Sequence, residues 1–354
     1  MFNAVESHEK ILIDGMKCLR VEYLYNECSL CIDICPEEAI TLGNNKRVAL
    51  DTKKCIDCSA CIGVCPTSAI SNTEFDPNMF VLTFSTGDEK RISCKDNTPC
   101  LNIFNVEQLI SLGLRNESIV CDMSHCKGCE INKNGMVEAS IKVHIDEANT
   151  FLEVMGEESR IISDYEEPVE VERRQLFSKF AKGINELQSD VEIGEIFNES
   201  DNLPVHRQLL QNSLKRVIEN VEETTLPYTF SFTANKQIDF QSCSNCGECV
   251  QFCPTDALTY SSDKSRILFQ NLRCIACSIC DDICKPRSFS DKPELDLVTM
   301  AFDRAMIAIE HRFVVCDECK TAFPQKGDEM ICNRCIDFVN NSQDLFALAR
   351  DLGN

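Results

Sequence analysis

The spacing of the cysteines constrains what this chain can fold into more than any other feature of its sequence. Among 25 cysteines in 354 residues, eight fall into two runs of the form Cys-x2-Cys-x2-Cys-x3-Cys. These eight are Cys243, Cys246, Cys249, Cys253, Cys274, Cys277, Cys280 and Cys284. In paired runs of this kind, three thiolates of one run and the last thiolate of the other surround one cubane cluster. The eight cysteines therefore predict two 4Fe-4S clusters.

An earlier pair of runs repeats this pattern with one departure. Its second run is complete, with Cys55, Cys58, Cys61 and Cys65. Its first run keeps Cys28, Cys31 and Cys35. Tyr25 stands where the leading cysteine belongs, and a phenol is a poor ligand for an iron-sulfide cubane. We expect Cys18 to supply the missing thiolate from a loop that folds back to the cluster. The alternative is that Cys18 is a small buried hydrophobe in a strand over residues 19–24.

Both pairs of runs resemble bacterial ferredoxins with two 4Fe-4S clusters. The whole layout is similar to the tandem, polyferredoxin-like iron-sulfur proteins that accompany bacterial formate dehydrogenases, hydrogenases and related redox enzymes. In those proteins a cysteine-rich α/β segment separates the two modules. The residues that carry this part of the resemblance are Ser93-Cys94, Pro99-Cys100-Leu101 and Cys126-x2-Cys129.

The resemblance implies four clusters, each held by three cysteines of one run and one from its partner run. Site one takes Cys18, Cys28, Cys31 and Cys65. Site two takes Cys35, Cys55, Cys58 and Cys61. Site three takes Cys243, Cys246, Cys249 and Cys284. Site four takes Cys253, Cys274, Cys277 and Cys280.

A further metal site is predicted near the end of the chain. Two Cys-x2-Cys pairs are separated by twelve residues, which suits a tetrahedral four-thiolate site for zinc or one iron. The cysteines are Cys316, Cys319, Cys332 and Cys335. Zinc is the preferred interpretation, because Asp317-Glu318 and Asn333-Arg334 stand where a rubredoxin knuckle usually carries proline and glycine.

Five central cysteines leave more than one interpretation open. Cys126 and Cys129 have ligand spacing, Cys94 and Cys121 can complete a site, and Cys100 is then left over or an alternate. We favour one further iron-sulfur cluster between residues 76 and 155. Structural zinc and a redox-active thiol pair are the alternatives, and a helix start after Pro99 would make Cys100 a reactive thiolate. His125 is a possible ligand, but a loop residue near the site is the preferred interpretation.

The net charge of -22 restricts the partners of the chain. Phosphates repel an acidic surface, so the charge argues against nucleic acid. Clusters with four thiolate ligands add further negative charge. We expect a redox-enzyme partner with a basic docking surface, since opposite charges accelerate encounter. Plain solubility is the alternative explanation.

The sequence carries no visible signal for export or membrane insertion. Residues 1–10 contain no basic segment followed by an apolar core, and no run of 18 apolar residues exists. Cysteines at such short spacing in a chain without an export signal are metal ligands rather than disulfides, because the cytosol keeps thiols reduced. We therefore expect a cytoplasmic protein.

These patterns predict an α+β protein in five segments. The segments are a first dicluster ferredoxin-like module (1–75), a cysteine-rich α/β domain (76–155), an acidic linker with helices (156–227), a second dicluster module (228–291), and a helix with a zinc-ribbon-like knuckle and a terminal helix (292–354).

Several elements are predicted inside these segments. Strands are expected at residues 11–13 and 48–50, with short helices after each Cys-Pro. In the fourth run Lys285 separates Cys284 from Pro286, which puts the turn there in doubt. The α/β segment should contain strands over 80–84, 92–94 and 118–122, with a parallel pair, and helices over 106–114 and 136–155. Further helices are expected over 174–187, 205–221, 295–311 and 342–352.

The chemistry of these sites predicts electron transfer without catalysis. A four-thiolate cubane offers no open iron position to a substrate, and no nucleotide, flavin or molybdopterin signature is evident. The chain is predicted to be an electron carrier or a subunit that links a low-potential donor to a redox enzyme. The alternatives are a maturation or scaffold factor that binds an apo-enzyme, and a redox sensor that uses the central thiols.

Overall fold

The structure of the protein is a computed structural model, which describes residues 10–87, 89–166, 197–198, 202–220 and 224–340. The helices predicted over residues 174–187 and 342–352 lie outside the described residues. The predicted α+β class is confirmed, because short helices and small sheets are interleaved along the described chain.

Two small antiparallel sheets frame the first module. The paired strands are β1 (Ile11–Ile13) with β4 (Ile70–Asn72), and β2 (Ile40–Leu42) with β3 (Val48–Leu50). The helices are α1 (Leu19–Glu22) and α2 (Leu30–Asp33), each about one turn long. Ile11 is buried whereas Leu12 is exposed, as the two-residue period of a strand requires. The predicted strands at 11–13 and 48–50 are confirmed, whereas the strand considered over 19–24 is wrong.

The short helices predicted after each Cys-Pro are also wrong. The chain makes a turn there and then enters a strand, such as β2 after Pro36 and β4 after Pro66. The third residue after the cysteine is left-handed in both turns, with φ of 47° at Glu38 and 53° at Ser68. A right-handed helix cannot continue through such a residue.

The central segment contains a parallel sheet flanked by helices. Its elements are α3 (Pro77–Phe84), β5 (Arg91–Ile92), α4 (Val106–Arg115), β6 (Ser118–Asp122), α5 (Met136–Val154) and β7 (Arg160–Asp164). The sheet order is β5-β6-β7, with both neighbours parallel. The predicted parallel pair and the helices at 106–114 and 136–155 are confirmed.

Two features of this segment differ from the prediction. Residues 80–84 belong to a helix, because Asp76 accepts hydrogen bonds from the amides of Asn78 and Met79, and Pro77 occupies the first helical position. The strand prediction for residues 80–84 rested on their apolar side chains and did not take the helix N-cap at Asp76 and Pro77 into account. Strand β7 lies within the predicted acidic linker, so the sheet continues beyond the predicted boundary at residue 155.

Helix α6 (Val205–Val217) follows and continues as a 3-10 turn at Ile218–Asn220, close to the predicted span of 205–221. Leu209, Leu210 and Leu214 recur at helical spacing and are fully buried. The helix packs against α4, so this part of the predicted linker is a structural element between the modules.

The second module extends beyond its predicted end at residue 291. Its elements are β8 (Thr225–Leu226), β9 (Lys236–Ile238), α7 (Glu248–Gln251), β10 (Leu258–Tyr260), β11 (Arg266–Phe269), α8 (Ile279–Ile283), β12 (Phe289–Asp291), β13 (Leu295–Asp296), α9 (Leu297–Ala301) and β14 (Met306–Glu310). The pairs are β9 with β12, β8 with β13, and β10-β11-β14 in order. The helix predicted over 295–311 is wrong: only Leu297–Ala301 are helical there, and Met306–Glu310 form a strand that pairs antiparallel with β11.

The last described part of the chain is a hairpin followed by a helix. Strands β15 (Phe313–Val315) and β16 (Ala322–Pro324) pair antiparallel, and residues 333–340 are helical.

One hydrophobic core joins the first module, the central sheet, α6 and the start of the second module. A second core lies within the second module. A third, small core consists of Leu19, Ile275 and Ile279 and joins the two modules directly. No helix in the described parts of the chain is long and apolar enough to cross a membrane.

Candidate iron-sulfur sites and metal centres

The three complete cysteine runs share two left-handed residues that turn backbone amides toward the thiols. The pairs are Asp57 and Ser59, Asn245 and Gly247, and Ala276 and Ser278, with φ between 50° and 81°. As a result, the amide of Asn245 donates to Sγ of Cys243 at 3.4 Å. Ser29 takes the equivalent position in the first run and has φ of -130°. The run that lacks its leading cysteine therefore also lacks this turn.

The last cysteine of every run lies in one common turn. The residue three positions later is left-handed in all four runs: Glu38, Ser68, Asp256 and Arg287. The next amide donates to the cysteine Sγ at 3.3 Å in three of them, from Ala39, Ala69 and Ser288. The turn in the fourth run is therefore the same as in the others, although Lys285 precedes Pro286 there.

The structure brings Cys18 to the thiols predicted for site one. Cys18 ends a 3-10 turn at Gly15–Lys17 and directly precedes α1. Burial and then the other three thiols of the site raise the pKa of Cys31 to about 12. The ring of Tyr25, in contrast, is 74 % exposed. Cys18, and not Tyr25, is thus the side chain placed where a fourth ligand is needed.

The thiols predicted for site two surround one apolar cavity. Cys35, Cys55, Cys58 and Cys61 line it, together with Ile11, Ile40 and Leu50. Burial, followed by the charges of Cys35 and Cys55, raises the pKa of Cys58.

The second module repeats this arrangement. The thiols of site three line a cavity with Ile238, Ile267 and Phe289. In site four, burial and then the charges of Cys274 and Cys253 raise the pKa of Cys277 to about 12. Each group thus combines three cysteines of one run with the last cysteine of the other, as the resemblance implies.

The residues present in the four sites fit cubane clusters. Each site gathers four soft thiol donors, and amides point at several of the sulfurs. Burial raises the pKa of the thiols, so four such groups ionise together only if cations compensate their charge. Bound iron supplies that compensation.

The thiols near the end of the chain form a more compact group. Cys316 and Cys335 are 3.9 Å apart, Cys319 and Cys332 are 3.7 Å apart, and all four sulfurs lie within 4.8 Å of one another. A tetrahedron with metal–sulfur bonds of about 2.3 Å has edges of about 3.8 Å. Hydrogen bonds from the Thr321 hydroxyl and amide lower the pKa of Cys319 to about 6. The geometry suits one metal ion.

The central thiols that come together are not the predicted set. Cys94, Cys100, Cys126 and Cys129 approach one another, and the charges of Cys94 and Cys126 add to the burial that raises the pKa of Cys100 to about 12. Cys121 instead points into the sheet core, where burial and then Asp122 raise its pKa to about 12. The sequence placed Cys121 in the site because both loops follow strands, but the side chain alternates away from the loop edge.

Two other expectations for this region change. Cys100 precedes only a three-residue 3-10 turn (Leu101–Ile103), so the α-helix start expected after Pro99 is wrong, and burial raises the pKa of the Cys100 thiol to about 12. Nε2 of His125 lies 3.9 Å from Oδ2 of Asp122, as a loop residue beside the site.

The sites adjoin one another across the module boundaries. Cys28 of site one and Cys277 of site four both pack against the small core of Leu19, Ile275 and Ile279. The rings of Tyr23 and Phe252 meet beside them, with centroids 6.0 Å apart. This contact brings the first module against the second.

A buried polar cluster at the same junction was not predicted. Arg207, His206 and Glu107 are all nearly inaccessible to solvent. The sequence carries only a weak sign of this cluster. His206 and Arg207 are neighbouring polar residues in a helix whose leucines already explain how it packs. Asn102, whose side-chain amide donates to the Ala60 carbonyl at 2.7 Å, was also not predicted.

Comparison with known protein families agrees with this geometry. A family model described as a 4Fe-4S dicluster domain matches residues 26–69, and a second model of the same description matches residues 235–285. A search of curated proteins gave no match. Cys18, the central cysteines and the last four cysteines lie outside both matches. The chain therefore carries two 4Fe-4S dicluster domains, which support iron-sulfur binding and electron transfer.

Proposed function

We propose that the chain is a non-catalytic electron carrier, or a subunit of an oxidoreductase complex, that relays single electrons through four 4Fe-4S sites. The observation that carries this proposal is the contact between the modules, where Cys28 and Cys277 pack on one small core. A relay needs its sites close together, because electron tunnelling weakens steeply with distance.

The ligand sets support transfer over catalysis. When bound, a four-thiolate cubane exchanges one electron and keeps no open iron position for a substrate. In sites two and three the chain supplies four thiols and a largely apolar wall.

The contacts order the four sites into one path. Cys31 of site one is close enough to raise the pKa of Cys61 in site two. Site one meets site four at the small core. Site four and site three share the two runs of the second module, since Cys249 of site three lies in α7 and Cys253 of site four follows the end of that helix. The order is therefore site two, one, four and three.

We further propose a redox enzyme with a basic docking surface as the partner, with the chain in the cytoplasm. The net charge of -22 supports such a partner, since it favours attraction to a positively charged surface. The layout that resembles tandem-ferredoxin proteins suggests an enzyme of the formate dehydrogenase or hydrogenase type.

The proposed relay is tested on the full chain, purified and reconstituted without oxygen. We expect it to accept at least about four electrons per chain from dithionite and to return them to oxidised viologen within the mixing time of a rapid experiment. A chain that holds iron but does not cycle would contradict the carrier and favour a maturation factor.

The order of the sites has its own test with a matched pair of variants. Cys277→Ser removes a ligand of site four, and Cys246→Ser removes one of site three. Each should lose about four irons. In the electron paramagnetic resonance spectrum, we expect reduced site one to lose its magnetic coupling to site four in Cys277→Ser and to keep that coupling in Cys246→Ser. Equal spectra of site one in the two variants would contradict the order.

A further inference from the structure

We propose that Cys94, Cys100, Cys126 and Cys129 bind a fifth 4Fe-4S cluster, in the central domain and next to site two. Neither dicluster match reaches these residues. The proposal extends the relay and rests on the electron-transfer function proposed above.

The parallel sheet brings the four cysteines to one edge. Strands β5 and β6 are parallel neighbours, so the loops that leave their carboxyl ends emerge side by side. Cys94 and Cys100 lie in the loop after β5, and Cys126 and Cys129 lie in the loop after β6. The amides of Cys126 and Cys129 donate to the carbonyls of the third residue before each, which coils the second loop tightly.

Buried polar contacts fix these two loops relative to each other. The Ser93 hydroxyl donates to Oδ2 of Asp122 at 2.8 Å, and the guanidinium of Arg91 lies 3.0 Å from Oδ1 of the same carboxylate. Asp122 itself is only 1 % exposed. A buried carboxylate held in this way locks the loop that follows β6 onto the loop that follows β5.

The thiols of the two loops face one another. Cys94 lies close enough to Cys129, and Cys126 close enough to both, for the charge of one to raise the pKa of the next. Cys100 approaches Cys94 and Cys126 in the same way. Four neighbouring thiols, two from each loop, form a complete donor set.

The spacing of these thiols suits a cubane better than zinc. A single ion draws four sulfurs into one small tetrahedron, as in the group of Cys316, Cys319, Cys332 and Cys335. Among the residues that the structure describes, the central thiols do not form such a compact group. In a cubane each thiolate binds a different iron, so its sulfurs stand farther apart. The central group shares this wider spacing with the ferredoxin sites.

The loop with Cys100 is packed directly onto site two. Asn102 donates to the carbonyl of Ala60, which lies between Cys58 and Cys61. A Cβ atom at Gly63 would lie 2.3 Å from the Asn102 carbonyl oxygen, so the two backbones are in closest contact there. The thiols of Cys58 and Cys100 are also near enough to influence each other's charge. A cluster at this position lies beyond site two, at the end of the path that is remote from site three.

Two buried cysteines provide a matched test in the full, reconstituted chain. Cys100 is 6 % exposed and Cys121 is 1 % exposed, and only Cys100 belongs to the proposed site. We expect Cys100→Ser to lose about four of about twenty irons and a matching amount of acid-labile sulfide, and Cys121→Ser to lose none. The partly exposed Cys129→Ser should lose the same four irons as Cys100→Ser, which separates ligand loss from a packing defect.

Several outcomes would overturn the proposal. Loss of one zinc with unchanged iron would make the site structural zinc, and no change in either metal would leave a thiol pair. Equal iron loss in Cys121→Ser and Cys100→Ser would contradict the ligand set. Failure of the four-site relay is distinguished from these results, because a wild-type chain that holds about twenty irons but does not cycle would contradict the carrier and would leave the iron counts of the variants unchanged.

Discussion

Nε of Arg207 in α6 lies 3.2 Å from Oε1 of Glu107 in α4, and both side chains are buried. The same guanidinium donates to the carbonyls of Phe232 and Cys274, the latter at 2.8 Å. Cys274 is a predicted ligand of site four, whereas Glu107 belongs to the central domain. One side chain therefore fixes the second module to the central domain.

Removal of this cation should destabilise the protein strongly. In Arg207→Met, Glu107 would be left as a buried carboxylate without its partner, which costs about 3–5 kcal/mol in comparable buried pairs. The exposed Lys215→Met in the same helix should cost less than about 0.5 kcal/mol. Denaturant unfolding of the two iron-loaded variants, without oxygen, measures the difference. Equal destabilisation would mean that the ion pair contributes nothing beyond the packing of the helix.

His206 should make the stability depend on pH at the same junction. Burial, and then the charge of Arg207, lowers the pKa of His206 to about 3, and its Nδ1 lies 2.8 Å from the Ser68 hydroxyl. The unfolded chain protonates this imidazole near pH 6.5 while the folded chain does not, so stability falls as the pH drops below that value.

The variant His206→Gln isolates this contribution. Gln can still bond to Ser68 but does not titrate, so the variant should lose up to about 1.4 kcal/mol less stability per pH unit between about pH 6.5 and pH 5 than the wild type does. The difference in slope is measured by unfolding at several pH values. His144 is half-buried with a lowered pKa and contributes equally to both proteins, so parallel slopes would contradict the role of His206.

The cysteine spacing predicted the two dicluster domains, because the local turns that position the thiols depend on that spacing. The cross-pairing of the runs, such as Cys35 with Cys55, Cys58 and Cys61, came from the resemblance and matches the grouping in the structure. The packing between modules was not predictable. Leu19 and Ile279 meet across 260 residues, and neither shows a local signal of its partner.

The failures have local physical causes. For residues 80–84 and for residues 295–311, the pattern of apolar residues alone does not separate helix from strand. The decisive signals were the cap at Asp76 for the first stretch and pairing with the distant β11 for the second. Cys121 was placed in the central site and Cys100 was left out. This error arose because the sequence alone does not show which face of β6 the Cys121 thiol lies on.

Cys18 should be required for site one, and Tyr25 should not. In Cys18→Ser the site keeps three thiolates, and we expect a loss of about four irons, or a three-iron cluster with its own magnetic signature. Tyr25→Phe removes the exposed phenol oxygen and should keep full iron. Iron and sulfide analysis with electron paramagnetic resonance checks both variants. An iron content of Cys18→Ser equal to that of the wild type would contradict the ligand role and favour Cys18 as a buried hydrophobic residue.

The four cysteines near the end of the chain should bind one zinc ion independently of the clusters. Cys332→Ser should lose that ion and leave the iron content unchanged, because its sulfur belongs to the compact group and to no cluster site. Elemental analysis by mass spectrometry identifies the metal. One iron in place of zinc, with the visible band of a rubredoxin, would overturn the choice of metal but not the site.

Arg20 should raise the reduction potential of site one. Its side chain is 7 % exposed, and Nε donates to the carbonyl of Cys28 at 2.6 Å, so a positive charge is held beside the site. Reduction adds negative charge, which this cation stabilises. Arg20→Gln should therefore lower the potential of site one by an amount on the order of 1 kcal/mol, or roughly 40 mV for one electron. A redox titration followed by electron paramagnetic resonance measures the potential. Arg20→Lys keeps the charge and should therefore keep most of the increase in potential that Arg20 causes. If Lys and Gln lowered the potential equally, the hydrogen bond to Cys28, and not the charge, would be the cause.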